Sequence, residues 1–147
     1  YYAFIFPYLT YNNIVWGCTY SAHLSKLEIQ HKRTIRIIAD ANYLDHTTPL
    51  FYRLKLLKVK DIYFYFTAIY MFKKISTSYR VPQHDIYTRN IHQLRPAFHR
   101  LTTTQHSISY MGPTIWNSLP QHIREIRTIG KFKRQLKLYL LSSYEVS

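Results

Sequence analysis

From Lys58 to Ile75 the sequence has no glycine and no proline, and its apolar and aromatic residues are too many for one face of a helix. Val59, Ile62, Phe66 and Ile69 recur at helical spacing, while Tyr63, Phe64, Tyr65, Tyr70 and Phe72 fill the other faces. The Tyr and Phe residues would tolerate a strand, but an unbroken pattern of this length reads as a helix. Such a helix is buried nearly all round, so the rest of the chain must supply helices to cover it. The expected fold class is therefore mainly α: a small bundle of about five helices with a long basic loop, leaving open one short β-hairpin.

The covering segments can be read on either side. Residues 1–25 carry no Asp, Glu, Lys or Arg. If this stretch is helical up to Gly17 it needs cover, and both later helices and a preceding domain are expected to give it. From Ser21 to Ala39, Leu24, Leu27, His31, Ile35 and Ile38 recur at steps of three and four, with Ser21 as the N-cap. Lys32, Arg33 and Arg36 cluster toward the end of that helix, where the macrodipole favours cations. Asp40–His46 reads as a loop. Thr48 before Pro49 predicts the N-cap and first position of a short helix reaching about Leu54.

Residues 77–106 hold Pro82, Pro96 and scattered Arg and His with little periodicity, and read as an extended basic loop. In Ser107–Met111 the alternation of Ile108 and Tyr110 permits a short strand, paired with Ala97–Leu101 and ended by Gly112–Pro113. A turn of helix around Thr114–Ser118 brings Trp116 inward, and Pro120 stops or restarts it. The final helix, Thr128 to about Ser142, sets Phe132, Leu136, Tyr139 and Leu140 against Lys133, Arg134 and Lys137. Three stretches result: helical 1–76, the basic loop 77–106, and 107–147 with its Gly-Pro corner and amphipathic helix.

Several chemistries lack their residues. His84, His92, His99 and His106 stand eight, seven and seven apart, which fits no zinc signature, and Cys18 is the single cysteine. Ser107 and Cys18 sit in no nucleophile elbow, and seven scattered acids offer no paired carboxylates. Gly17, Gly112 and Gly130 stand too far apart for a phosphate-cradling loop. No catalytic residue, metal or cofactor is assigned to this chain. With one cysteine and no secretory signal in the opening residues, an intracellular protein is expected, and the chain is read as a fragment. The uncharged run 62–72 has eleven residues, short of the roughly 20 a membrane-spanning helix needs.

What remains is positive charge among aromatics: 20 Lys+Arg against 7 Asp+Glu, a formal charge of +13, with 15 Tyr, 8 Phe and 2 Trp. Lys and Arg release counterions from phosphates and exposed Tyr can stack on unpaired bases, which suits RNA or single-stranded DNA. The same charges would draw the chain to an anionic membrane surface, and solvated basic faces around a tyrosine-rich core would give the same counts.

The order of the blocks adds to this. PYLTYNNIVWG (Pro7–Gly17), LSKLEIQHKRTIRII (Leu24–Ile38), TTPLFYRLKLLKVKDIY (Thr47–Tyr63), the Arg/His-rich stretch, ISYMGPTIWNSLP (Ile108–Pro120) and FKRQLKLYLL (Phe132–Leu141) follow one another over nearly the whole chain. In this order they resemble the C-terminal part of reverse transcriptases of non-LTR, jockey-like (LINE-type) retrotransposons. The box of Gly112, Pro113, Trp116, Asn117, Leu119 and Pro120 carries most of the likeness, while Gln30-His31 departs from the family's Leu-Gln. The resemblance implies a noncatalytic extension after the thumb of an RNA-directed DNA polymerase, with 1–76 continuing that thumb. The palm and its Mg-binding aspartates would lie upstream.

Implied partners are RNA or an RNA/DNA template–primer and the upstream domains of the same polyprotein, in nucleus and cytoplasm. The residues read as phosphate contacts are Lys32, Arg33 and Arg36 first, then Lys131, Lys133, Arg134 and Lys137. Trp16 and Trp116 are assigned to packing, and Asn117, within the Gly112–Pro113 to Pro120 corner, to a backbone contact. The rival to all of these is a decayed remnant that folds poorly alone. A cooperative thermal melt followed by circular dichroism is expected; weak helical signal with no transition would favour the remnant.

Overall fold

The computed structural model describes residues 1–78, 94, 96 and 100–145. Among them the helices are α1 (Phe6–Thr10), α2 (Asn13–Trp16), α3 (Ser21–Ile38), α4 (Thr47–Arg53), α5 (Val59–Ser78), α6 (Thr102–Gln105), α7 (Ile108–Ser118), α8 (Gln121–Arg124) and α9 (Ile129–Ser142). Five of these reach seven residues or more, and there is no strand among the described residues. The protein is mainly α-helical, a small bundle.

Helix α5 is its centre. Val59, Ile62, Tyr63, Thr67, Ala68, Ile69, Met71 and Phe72 are all buried, which takes up most of the helix circumference. Its neighbours are α1 and α2 on one flank, α3 on another, and α7 and α9 beyond. Phe132 of α9 is fully buried and stacks on Phe72 of α5 at 4.6 Å between ring centres and on Trp116 of α7 at 5.9 Å. One aromatic layer thus joins three helices that are distant in sequence. Leu136, Leu140 and Leu141 extend the α9 contact, while Tyr139 is 39% exposed and stays outside the face assigned to it.

The uncharged N-terminal stretch is helical up to Trp16, but in two pieces. Asn12 takes a left-handed conformation, φ 48°, which a short polar side chain tolerates, and separates α1 from α2. The buried Asn13 amide donates back to the Leu9 carbonyl at 2.9 Å. Leu9 and Asn13 face inward, whereas Phe4, Tyr8 and Tyr11 are each 81% exposed.

Two cap assignments shift by a residue or two. Ser21 is the first residue of α3 rather than its cap, a place held by Tyr20. Helix α4 begins at Thr47 with His46 before it, and Thr48 Oγ1 instead accepts a bond from Lys58 Nζ at 3.1 Å.

The strand read at Ser107–Met111 is not formed. These residues enter α7, which runs on through Gly112 and Pro113. Alternation over five residues was a weak signal, and Ile108, Met111 and Ile115 recur at three and four across the longer window. Pro113 forfeits one helical bond in the middle of α7, and burial of Gly112, Pro113, Ile115 and Trp116 offsets that loss. The hairpin partner Ala97–Phe98–His99 lies outside the described residues, as does most of the 77–106 loop. Pro120 restarts the chain as the residue before α8.

Asn117 does bond backbone, though not within its own turn. Its side-chain amide donates to the Leu94 carbonyl at 2.7 Å, and the Leu94 N–H donates to its Oδ1 at 2.9 Å. This fixes the buried Leu94 against the core.

Two glycines allow close approach. A Cβ at Gly17 would lie 2.6 Å from the Asn13 carbonyl oxygen and 2.8 Å from Tyr63 Cγ, against rigid groups. At Gly112 the nearest obstacle is the Met71 sulfur at 2.7 Å, which can swing away. Gly17→Ala is therefore expected to cost more stability than Gly112→Ala, and Phe132→Ala about 3–5 kcal/mol. Urea unfolding of the three variants tests the order; a neutral Phe132→Ala would contradict the shared aromatic layer.

Candidate functional site

Four of the seven basic residues singled out in the sequence line two separate surfaces. The first is a cleft of about 530 Å³ between α3, the loop before α4, and the start of α5. Lys32 and Arg36 line it, together with Lys58 and Lys60; Arg33 is exposed outside it.

Most of these cations are held by internal partners. Arg36 Nε donates to the Asp45 carbonyl at 3.0 Å, and its guanidinium lies 5.9 Å from the centre of the Tyr43 ring. Lys58 Nζ is bonded to Thr48 and sits 4.5 Å from the Tyr144 ring centre. Lys60 pairs with Glu28 at 3.4 Å. Three carboxylates, Glu28, Asp45 and Asp61, share the cleft, so its positive potential is largely offset. The Tyr144 hydroxyl donates to Asp61 and accepts the Lys58 N–H at 3.0 Å, tying the end of the chain to the start of α5. Burial pushes the Asp61 carboxyl up, against the opposing pull of its Tyr144 bond, and burial together with Asp61 pushes the Tyr144 phenol up.

The cleft floor holds His31, which is buried on the core side of α3. The Tyr1 hydroxyl and His31 Nε2 share a hydrogen bond of 3.0 Å, the two rings stack, and Phe51 meets the imidazole edge-on. Burial lowers the His31 pKa from 6.5 to about 4, so the ring is neutral at physiological pH.

The second surface is a groove between α1, α5 and α9. It consists of two adjoining hollows, of about 410 Å³ and 90 Å³, that share Phe6, Tyr65 and Phe66. Tyr70, Lys73 and Lys133 complete the larger, and Tyr2, Lys55 and Lys137 belong to the smaller. Phe6 lies 6.4 Å from Phe66, and Tyr65 meets Phe66 edge-to-face at 5.5 Å. Four lysines rim this groove, and no carboxylate among the described residues lines it. Lys133 and Lys137 reach it because they lie one turn apart on α9. Lys131 and Arg134 are exposed and line neither surface.

Sequence reasoning assigned Tyr65, Phe66 and Tyr70 to the core of a helix buried all round, and so missed them here. The available signal was the excess of aromatics beyond the Val59–Ile62–Phe66–Ile69 stripe, continuing into Lys73 on the same side.

No metal-holding group of three or more His, Cys, Asp or Glu occurs among the described residues; His84, His92 and His99 lie outside them. His106 packs its ring on Tyr20 and bonds the Cys18 carbonyl. Burial beside Cys18 pushes the Tyr63 phenol up to about 12. The Trp16 indole N–H donates to the Tyr11 carbonyl at 2.7 Å, and Trp116 is buried. No helix among the described residues is long and apolar enough to cross a membrane. No known protein family, curated protein or solved structure matches the chain.

The buried imidazole makes stability depend on pH. Between pH 6.5 and about 4 the unfolded chain binds a proton at His31 that the folded chain does not, so stability falls as pH falls through that window. The raised Asp61 acts in the opposite sense, losing stability as pH rises through the ordinary carboxylate range. The His31 contribution is at most about 3 kcal/mol. Urea midpoints measured from pH 7.5 to 4 are expected to drop, and His31→Phe to flatten the drop; an unchanged profile in the variant would contradict the assignment.

Proposed function

We propose that this chain is a noncatalytic, nucleic-acid-binding C-terminal piece of a retrotransposon RNA-directed DNA polymerase. The observation that carries the binding reading is the groove between α1, α5 and α9, where Lys55, Lys73, Lys133 and Lys137 surround aromatic rings with no carboxylate among the described residues that line it. Lysines in that setting attract polyanions, and no carboxylate among the described residues lines the groove, whereas three share the cleft at Lys32 and Arg36. The parentage rests on the block order, in which the Gly112–Pro120 box is the most specific part. In that role the chain holds RNA or the template–primer while catalysis, with its Mg, belongs to other domains.

A basic peripheral membrane protein is the rival, favoured by the outward-facing Phe4, Tyr8 and Tyr11. The recessed position of Tyr65 and Phe66 between helices favours a strand that can enter a groove over a flat lipid surface. Labelled RNA is expected to bind with log affinity falling linearly in log salt. The double variant Lys133→Ala/Lys137→Ala should reduce the slope by roughly 1.4 for a single strand, and Lys32→Ala/Arg36→Ala by less. An unchanged slope in the first variant would remove the groove from the interface.

A further inference from the structure

We infer that the groove between α1, α5 and α9 selects unpaired nucleotides, stacking their bases on Tyr65, Phe66 and Tyr70 while Lys133 and Lys137 hold the flanking phosphates. This deepens, and rests on, the nucleic-acid reading above.

The fold places rings and charges side by side in this groove. Phe66, Tyr70 and Lys73 follow one another along one side of α5 at steps of four and three, with Tyr65 beside them, and Phe6 closes the groove from α1. From Tyr65 to Lys73 this stripe is about 12 Å long at 1.5 Å per residue, enough for two or so nucleotides of one strand. The rings are partly open: Tyr65 and Phe66 are half-buried, and Tyr70 is 37% exposed. The contacts among Phe6, Phe66 and Tyr65 are tilted or edge-to-face, which leaves ring faces unpaired with one another.

A duplex gains little from such a wall, because its bases are already stacked on one another and offer a protein their edges in the grooves rather than their faces. Were the lysines the whole interface, a duplex would bind at least as well as a single strand, since its charge density is higher. Every base has a π-face, so the preference created by the rings is for unpaired bases of any sequence. The cleft at Lys32 and Arg36 lacks this arrangement, having Phe51 as its one aromatic lining residue and three carboxylates.

The test uses the full chain and three labelled probes of equal length: a single-stranded RNA, an abasic strand with the same phosphates, and a duplex. The single strand is expected to bind about tenfold tighter than either other probe, the size of one stacked base. Tyr65→Leu/Tyr70→Leu should bring the single strand down to the abasic level, with circular dichroism confirming that the variant still melts cooperatively. The abasic comparison needs no variant, so it stands even if the double substitution unfolds the chain. Equal binding of all three probes, still weakened by Lys133→Ala, overturns base stacking and leaves the nucleic-acid reading intact. No binding to any probe, with capture by phosphatidylserine vesicles, overturns both.

Discussion

The burial of α5 is the constraint on which the rest of the structure depends. A helix that is apolar on most of its circumference cannot exist in water, and it is stable only where other helices take that surface away. Here α1 and α2, α3, α7 and α9 each take part of it, and the Phe72–Phe132–Trp116 layer fastens α7 and α9 to it. The cover is incomplete on the side between α1 and α9. Tyr65, Phe66 and Tyr70 therefore remain reachable, and the groove is the uncovered remainder of the helix that organises the core.

Charge decides which of the two basic surfaces matters more. In the cleft, Lys60 already has Glu28, Lys58 has Thr48 and the Tyr144 ring, and Arg36 has the Asp45 carbonyl. A phosphate entering there must compete with those partners and approach three carboxylates. In the groove four lysines rim the aromatic rings, and no carboxylate among the described residues lines it. Helix-surface lysines that look alike in sequence thus differ in what they can do, because the fold gives them different neighbours.

The helical architecture was legible because the periodic segments are long. The patterns at 21–39, 58–75 and 128–142 each appear as one helix with bounds close to those read. Short signals were less reliable. Five alternating residues at 107–111 belong to α7, and an apparently continuous N-terminal helix is broken at Asn12 by a single left-handed residue. The corner at Asn117 was legible as a backbone contact, but its partner at Leu94 was not, since a loop's return path depends on tertiary packing.

The site was only half legible. Runs of cations mark polar helix faces, yet nothing in the sequence around Lys32 and Arg36 reveals that acids from two other segments will share their cleft. Aromatics on a helix that is apolar all round cannot be sorted into buried and accessible until its neighbours are placed. The most direct measurement is photocrosslinking of a 4-thiouridine-substituted single-stranded RNA to the chain, with the adducts located by mass spectrometry. The account predicts adducts on Phe6, Tyr65, Phe66 or Tyr70; adducts confined to α3 and α4, beside Lys32 and Arg36, would contradict it.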